Sequence, residues 1–131
     1  MANGRDMIGA IGGTALVELK RLVPPEHARI LVKLESGNPT GSMKDRMALS
    51  VVDRAVASGR LRPGGRLVEY TGGSTGTSLA FVCAVRGFAI TVVTSDAFSL
   101  EKRRHMRGLG AEVIEVPSDQ GRITKDLIEA M

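Results

Sequence analysis

The chain has 131 residues, enough for one domain with a sizeable core, and its 18 basic and 14 acidic side chains give a net charge of +4. Aromatic residues make up only 3% of the chain, too few for the base-stacking surface of a nucleic-acid binder, so we expect no nucleic-acid partner. No segment could span a bilayer and the single cysteine permits no internal disulfide, which predicts no membrane association and a cytoplasmic location.

The apolar pattern alternates between strands and helices from residue 30 onward. Short apolar runs predict strands at Ile30–Leu34, Arg66–Tyr70, Ala89–Thr94 and Ala111–Val116. Helical spacing predicts helices at Met43–Ser58, Thr75–Arg86, Leu100–Leu109 and near Ile123–Ala130, with glycines 59, 87 and 110 where helices should stop. This alternation predicts an α/β fold in which a parallel β-sheet is flanked by helices. In such a sheet, binding loops lie at the carboxyl ends of the strands.

The first candidate site segment runs from Gly37 to Arg46, directly after the first predicted strand. Ser42 is a favourable N-cap, which places Lys44 at the start of the following helix. There the lysine faces the positive end of the helix dipole, an arrangement that favours the uncharged amine. An uncharged amine is the nucleophile that forms Schiff bases with carbonyl compounds. Taken alone, Lys44 could equally be a solvated surface residue.

The second candidate segment is the loop of Gly, Ser and Thr residues after the strand Arg66–Tyr70. Its glycines let a ligand approach the backbone closely, and the helix that follows offers unpaired N–H groups to an anion. The hydroxyl groups of this loop add further donors, from Thr71, Ser74, Thr75 and Thr77. The loop is therefore suited to a carboxylate or a phosphate, although a tight strand-to-helix turn without a ligand has the same composition. Both histidines, His27 and His105, are isolated, which predicts no metal site.

Together these segments resemble the N-terminal part of the fold-type II pyridoxal-phosphate enzymes, specifically the cysteine synthase and cystathionine β-synthase group. Ile11–Val17 is similar to that group's opening Ile-Gly-x-Thr-Pro-Leu-Val, and Thr71–Gly76 falls where the group has Thr-Ser-Gly-Asn-Thr-Gly. Glu101–Arg104 and Leu109–Val113 are similar to a later helix and its Leu-Gly-Ala turn. The segment Glu35–Arg46 resembles the one that bears the cofactor lysine and is highly specific.

The resemblance implies the N-terminal lobe of the tryptophan synthase β-like fold, with pyridoxal phosphate as the cofactor. It implies that Lys44 is the catalytic residue, which binds the cofactor covalently and later moves the substrate α-proton. Ser74 stands where the group usually has an asparagine that hydrogen-bonds the cofactor. The other matched residues of the loop would receive the α-carboxylate of a small amino-acid substrate: Thr71, Gly72, Gly73 and Thr75.

The implied reaction is β-replacement on an O-activated serine, as in a cysteine synthase, with cystathionine synthesis or serine/threonine dehydration as alternatives. Three positions depart from the group's pattern: Ala15 replaces a proline, Gly72 a serine, and Ser74 the asparagine. These departures affect the choice of reaction and substrate more than the cofactor, because none of them changes the cofactor lysine.

The resemblance also predicts that residues 1–131 are a truncated enzyme, because members of the group are more than twice as long. The second lobe, with its phosphate-binding loop, would be absent, and we expect weak catalysis or none. Apolar surface that this lobe would cover should be exposed, which favours a homodimer or association with a complementary lobe.

Two further alternatives belong to other functional classes. A short-chain dehydrogenase would bind NAD(P) with the loop Thr71–Ser78 and hold the ribose with Asp96. Against it, Ser78 replaces that loop's third glycine, and the segment from Asn38 to Arg46 stays unexplained. A non-catalytic fragment or interaction module is the other alternative.

Overall fold

The computed structural model of the protein describes residues 6–131. The strands are β1 (Leu16–Glu18), β2 (Leu31–Lys33), β3 (Arg66–Tyr70), β4 (Ala89–Ser95) and β5 (Glu112–Val116). The α-helices are α1 (Lys44–Ala57), α2 (Ser74–Arg86), α3 (Leu100–Gly108) and α4 (Lys125–Ala130), with short 3-10 turns at Met7–Ala10 and Glu35–Gly37. The predicted α/β class is confirmed, and each predicted helix is present with its ends displaced by two residues or fewer.

The parallel sheet consists of β3, β4 and β5 in that spatial order. Tyr70 pairs with Val93 of β4, and Val93 pairs in turn with Ile114 of β5. Right-handed crossovers that always step to the next strand in one direction place their helices on the same face of a sheet. The contacts agree, since α2 packs on β4 and α3 packs on β5.

Helix α2 lies at the centre of the domain, between the sheet and α1. All residues from Gly76 to Cys83 are buried, which explains why this helix is apolar around its circumference. Ala48 and Val52 of α1 pack into the same core as Val92 of β4. Burial raises the pKa of the Cys83 thiol to about 11, so this cysteine is a small buried hydrophobe, as predicted, and not a nucleophile.

The first predicted strand was assigned to the wrong sheet. The strand appears as β2, but it pairs antiparallel with β1 in a separate two-stranded sheet, and no pattern predicted β1. The prediction took strand–helix alternation to mean a single parallel sheet. A strand of only three residues can instead form its backbone hydrogen bonds with a short antiparallel strand nearby, and β2 does so with β1. Of the two candidate site segments, only the loop after β3 therefore lies at a carboxyl end of the parallel sheet; the Lys44 segment follows β2.

The other face of the parallel sheet is exposed and largely apolar. Val68, Tyr70 and Ile114 on this face are exposed by 69%, 55% and 47%. At one end of the face, Arg66 donates hydrogen bonds to Thr91 and to Glu112 across three strands. Parallel sheets are normally covered on both faces, so this face is the part of the domain where apolar surface is available for a partner.

Within residues 6–131, none of the helices is long and apolar enough to cross a membrane. The same residues contain no cluster of His, Cys, Asp and Glu side chains that could hold a metal ion.

Candidate functional site

Lys44 lies at the start of α1, as the sequence predicted, and the helix begins one residue later than expected, at Lys44 itself. Ser42 is not the N-cap: Met43 takes that position with helical backbone angles and without a capping side chain. Ser42 still contributes to the helix start, because its Oγ accepts a hydrogen bond of 3.1 Å from the backbone N–H of Lys44. The Lys44 side chain is half-buried and forms no ion pair with a carboxylate of the described chain. Its amine is therefore available to a ligand.

Asp45, the next residue, is a completely buried carboxylate. It accepts a hydrogen bond of 2.8 Å from the backbone N–H of Thr40 and one of 2.5 Å from the Thr40 hydroxyl. The hydroxyl of Ser78 donates a third hydrogen bond, of 2.6 Å. These donors compensate the carboxylate for its loss of water, which is the condition for burying a charged group.

The contact between Asp45 and Ser78 connects the two predicted site segments. Ser78 lies in α2, one turn after Ser74 at the beginning of that helix. The starts of α1 and α2 are thus joined by a buried, charge-assisted hydrogen bond, and Lys44 is the residue next to the Asp45 end of this bond. Sequence analysis missed this role, although Asp45 shares a helical stripe with the buried residues Ala48 and Val52, and that spacing was readable.

A second polar cluster ties the opening segment of the chain to α1. Glu35 accepts hydrogen bonds of 2.8 Å and 3.0 Å from the guanidinium of Arg46 and one of 2.6 Å from the Thr14 hydroxyl. Asn38 donates to Glu35 and accepts from the backbone N–H of Gly12. The hydrogen bonds from Arg46, Thr14 and Asn38 lower the pKa of Glu35 to about 2. The carboxylate is therefore ionised at neutral pH and accepts all of these hydrogen bonds.

The Gly/Ser/Thr loop lies where the sequence placed it, between β3 and α2. Helix α2 begins at Ser74, and Gly73 at its cap offers no side chain to the first-turn N–H groups. The Thr71 hydroxyl oxygen accepts a hydrogen bond of 3.2 Å from the N–H of Gly73, which leaves its own proton free to donate elsewhere. The predicted substrate residues Thr71, Gly72, Gly73 and Thr75 are thus together at one helix N-terminus, and each is partly exposed.

Gly76, in the first turn of α2, is required by packing. A Cβ atom at this position would lie 2.6 Å from Sδ of Met106, 2.6 Å from Cγ2 of Thr71 and 3.2 Å from Cγ1 of Val92. The missing side chain lets α2 approach β4 closely and brings Thr71 against the helix start. The position of the Thr71 hydroxyl therefore depends on this glycine.

Asp96, the residue on which the dehydrogenase alternative depends, lies just after β4 and is already hydrogen-bonded. It accepts hydrogen bonds of 2.7 Å from the backbone N–H of Ser118 and 3.1 Å from the Ser95 hydroxyl. The contacts with Ser118 and, to a smaller extent, with Ser95 lower the pKa of Asp96. Its carboxylate joins the loops that follow β4 and β5, which accounts for this residue without a nucleotide.

The residues at this site fit pyridoxal phosphate and an amino acid in their chemistry. An amine without an ion-pair partner is what a covalently bound aldehyde cofactor requires, and Lys44 provides one. An uncapped helix N-terminus with two threonine hydroxyls suits an α-carboxylate, and the Thr71–Thr75 loop provides it. The bond between Asp45 and Ser78 holds the two parts in one arrangement.

Comparison with known proteins agrees with this geometry. The family model described as pyridoxal-phosphate dependent enzyme matches residues 7–130. Cysteine synthase B of Salmonella typhimurium is 45% identical over 122 residues, which cover 92% of this chain and 40% of that protein. O-ureido-L-serine synthase of Streptomyces lavendulae is 43% identical over 122 residues, covering 93% of this chain and 37% of the relative.

A solved structure with the same fold is that of a hydrogen sulfide-producing enzyme from Fusobacterium nucleatum. It matches with a TM-score of 0.84 and 34% identity, over 97% of this chain and 40% of that one. The chain thus spans about 40% of the length of the proteins that it matches. The match covers the helices and strands of both site segments, and the chain belongs to the pyridoxal-phosphate dependent enzyme family.

Proposed function

We propose that the chain belongs to a cysteine synthase-like enzyme that performs β-replacement on an O-activated serine, with sulfide as the nucleophile. The observation that carries this proposal is the buried hydrogen bond from Ser78 to Asp45, which joins the helix start that bears Lys44 to the helix that follows the carboxylate loop. Relatives named cysteine synthase B and O-ureido-L-serine synthase support the substrate class, since both names refer to cysteine or to an O-substituted serine.

In this proposal each site residue has a separate task. Lys44 holds pyridoxal phosphate covalently and moves the proton at the substrate Cα. The hydroxyls of Thr71 and Thr75, with the backbone of Gly72 and Gly73, bind the α-carboxylate and so orient the Cα–H bond towards the amine. When bound, the cofactor supplies the electron sink for the negative charge at Cα.

Ser74 takes the place beside the cofactor at which the family pattern has an asparagine. Its hydroxyl is shorter than the carboxamide of asparagine, so we propose that it reaches the cofactor ring through a water molecule. Asp45 touches neither cofactor nor substrate. Its task is positional, because its bond to Ser78 fixes Lys44 relative to the carboxylate loop.

We also propose that residues 1–131 act as an N-terminal lobe, and that the groups binding the cofactor phosphate come from a second lobe outside this sequence. By itself, the chain should then bind pyridoxal phosphate weakly.

The exposed apolar residues Val68, Tyr70 and Ile114 support association, either with a complementary lobe or with a second copy. We expect sedimentation of the chain to detect self-association, and a strictly monomeric chain would contradict association with a second copy. A cytoplasmic location fits the single, buried cysteine.

Covalent labelling tests the assignment of Lys44. The chain is incubated with pyridoxal phosphate and reduced with borohydride, and the modified lysine is mapped by mass spectrometry. We expect the label on Lys44 in preference to Lys20, Lys33, Lys102 and Lys125, because Lys44 stands at the position of the cofactor lysine in the family pattern. Lys102 is the strongest competitor, since its Cγ lies near Gly73 of the carboxylate loop.

Lys20→Ala, which removes an exposed lysine, is the matched control for Lys44→Ala. We expect Lys44→Ala to eliminate the preferred label and Lys20→Ala to leave it unchanged. Equal labelling of all five lysines, or a label that survives Lys44→Ala, would exclude Lys44 as the cofactor lysine.

A further inference from the structure

The carboxylate loop departs from the family pattern at Gly72, and an aromatic ring occupies the space beside this residue. A Cβ atom added to Gly72 would lie 2.5 Å from Cε1 of Phe98, 2.6 Å from its Cδ1 and 2.9 Å from its Cζ. Carbon atoms in contact are separated by about 3.5–4.0 Å, so no side chain fits at position 72 while the ring stays in place. The neighbouring Gly73 is different, since its nearest contact would be Cγ of Lys102 at 3.9 Å.

The backbone of Phe98 is fixed by the turn between β4 and α3. Its backbone N–H donates a hydrogen bond of 3.1 Å to the carbonyl of Ser95, and the Ser95 hydroxyl accepts one of 3.2 Å from the N–H of Ala97. Ser95 is fully buried at the end of β4. Since β3 and β4 are adjacent and parallel, the turn after β4 lies directly beside the loop after β3. The contact between Phe98 and Gly72 therefore follows from the sheet order.

We propose that Phe98 determines how the loop binds a carboxylate, an inference that rests on the proposed function. By filling the space at position 72, the ring keeps a hydroxyl donor out of the loop. A carboxylate is then left to the N–H groups of the helix start and to the hydroxyls of Thr71 and Thr75. The ring also forms an apolar wall on this side of the loop. Phe98 and Gly72 act as a pair, and changing one requires changing the other.

A double-mutant cycle on the chain tests whether the two positions are coupled. We expect Gly72→Ser to lower Tm by about 4–8 °C when Phe98 is present, because the new side chain collides with the ring. When Phe98→Ala is also present, the same change should lower Tm by no more than about 2 °C, because the space has been opened.

Gly108→Ala is the matched control for the cycle. A Cβ atom at Gly108 meets nothing within 4 Å, so its effect on Tm should be the same with Phe98 and with Ala at position 98. If Gly72→Ser lowers Tm equally in both backgrounds, the ring does not occupy the space of a side chain at position 72, and the proposal is overturned.

Ligand binding tests the consequence for the carboxylate. Backbone amide chemical shifts of Thr71–Thr75 are followed by NMR while L-serine is added, with L-serinamide, which lacks the carboxylate, as the control ligand. We expect the double variant Gly72→Ser, Phe98→Ala to bind L-serine about threefold to tenfold more tightly than Phe98→Ala alone, since one hydroxyl donor has been restored. L-serinamide should show no such gain.

The outcomes separate this inference from the proposed function. If L-serine shifts the loop amides in both Phe98→Ala and the double variant and binds both with equal affinity, the role of Phe98 is overturned and the carboxylate site stays intact. Absence of loop shifts in every variant would overturn the carboxylate role of the loop together with the proposed substrate site. If pyridoxal phosphate and borohydride do not label Lys44 while the mutant cycle shows the expected coupling between positions 72 and 98, only the cofactor assignment is contradicted.

Discussion

Asp45→Ala is expected to destabilise the domain by about 3 kcal/mol, a large part of the 5–15 kcal/mol that a domain of this size usually has. The change removes the acceptor of three donors, the N–H and the hydroxyl of half-buried Thr40 and the hydroxyl of buried Ser78, and leaves the two hydroxyls only each other at 3.3 Å. Each buried donor that loses its acceptor costs about 1 kcal/mol or more. Urea unfolding at neutral pH measures the difference in the free energy of unfolding.

Asp53→Ala is the matched control, because Asp53 lies on the same helix and also forms a hydrogen bond. Its partner is Arg86, and the two side chains are exposed by 49% and 41%. An exposed pair of this kind contributes about 0–1 kcal/mol, so Asp53→Ala should have a small effect. If the two substitutions were equally mild, the buried carboxylate would not be holding α1 against α2.

Asp45→Asn separates the stabilising role of Asp45 from its positional role. The substitution keeps the volume and one acceptor oxygen but directs an amide group at a donor, so we expect a folded chain with a smaller loss of stability. Under conditions in which the variant is fully folded, labelling of Lys44 by pyridoxal phosphate should still be slower, because the amine is less firmly placed beside the loop. An unchanged labelling rate would mean that Asp45 acts only on stability.

Gly76→Ala is the second substitution with a large expected effect, and we expect it to destabilise the domain by about 1–3 kcal/mol. Alanine is the better helix former by about 1 kcal/mol, so propensity alone predicts the opposite sign. Overpacking dominates because the new Cβ atom would lie 2.6 Å from both Met106 Sδ and Thr71 Cγ2, and Met106 is fully buried. Urea unfolding again measures the difference.

Thr71→Ser provides a rescue that identifies the cause of this effect. The change removes the Cγ2 methyl group and keeps the hydroxyl, so it should recover part of the stability lost in Gly76→Ala. Gly108→Ala, at an open position at the end of α3, should be neutral or stabilising by up to about 1 kcal/mol, because helix propensity acts there without overpacking. A stabilising effect of Gly76→Ala would mean that the contact between α2 and β4 is looser than these distances indicate.

The sequence alone determined the helices and the three strands of the parallel sheet. Gly87 illustrates why: it ends α2 in the left-handed conformation with φ 74°, and its N–H donates to the carbonyl of Cys83. Helical periodicity and glycine stops are local properties, and neighbouring residues determine them. The two site segments were equally readable, because a lysine at a helix start and a Gly/Ser/Thr loop are also local patterns.

Only the tertiary structure decided which separated segments meet. The strand Leu31–Lys33 pairs with β1 and not with the parallel sheet. The apolar pattern of a short strand predicts that it is a strand, but it does not specify which other strand it pairs with. The contact between Asp45 and Ser78 and the one between Phe98 and Gly72 each join residues that lie far apart in the chain. Spacing along the sequence assigns a residue to a face of its own helix or strand. The partner on that face is set by how the elements pack, which is why the residues that position this site became visible only in the fold.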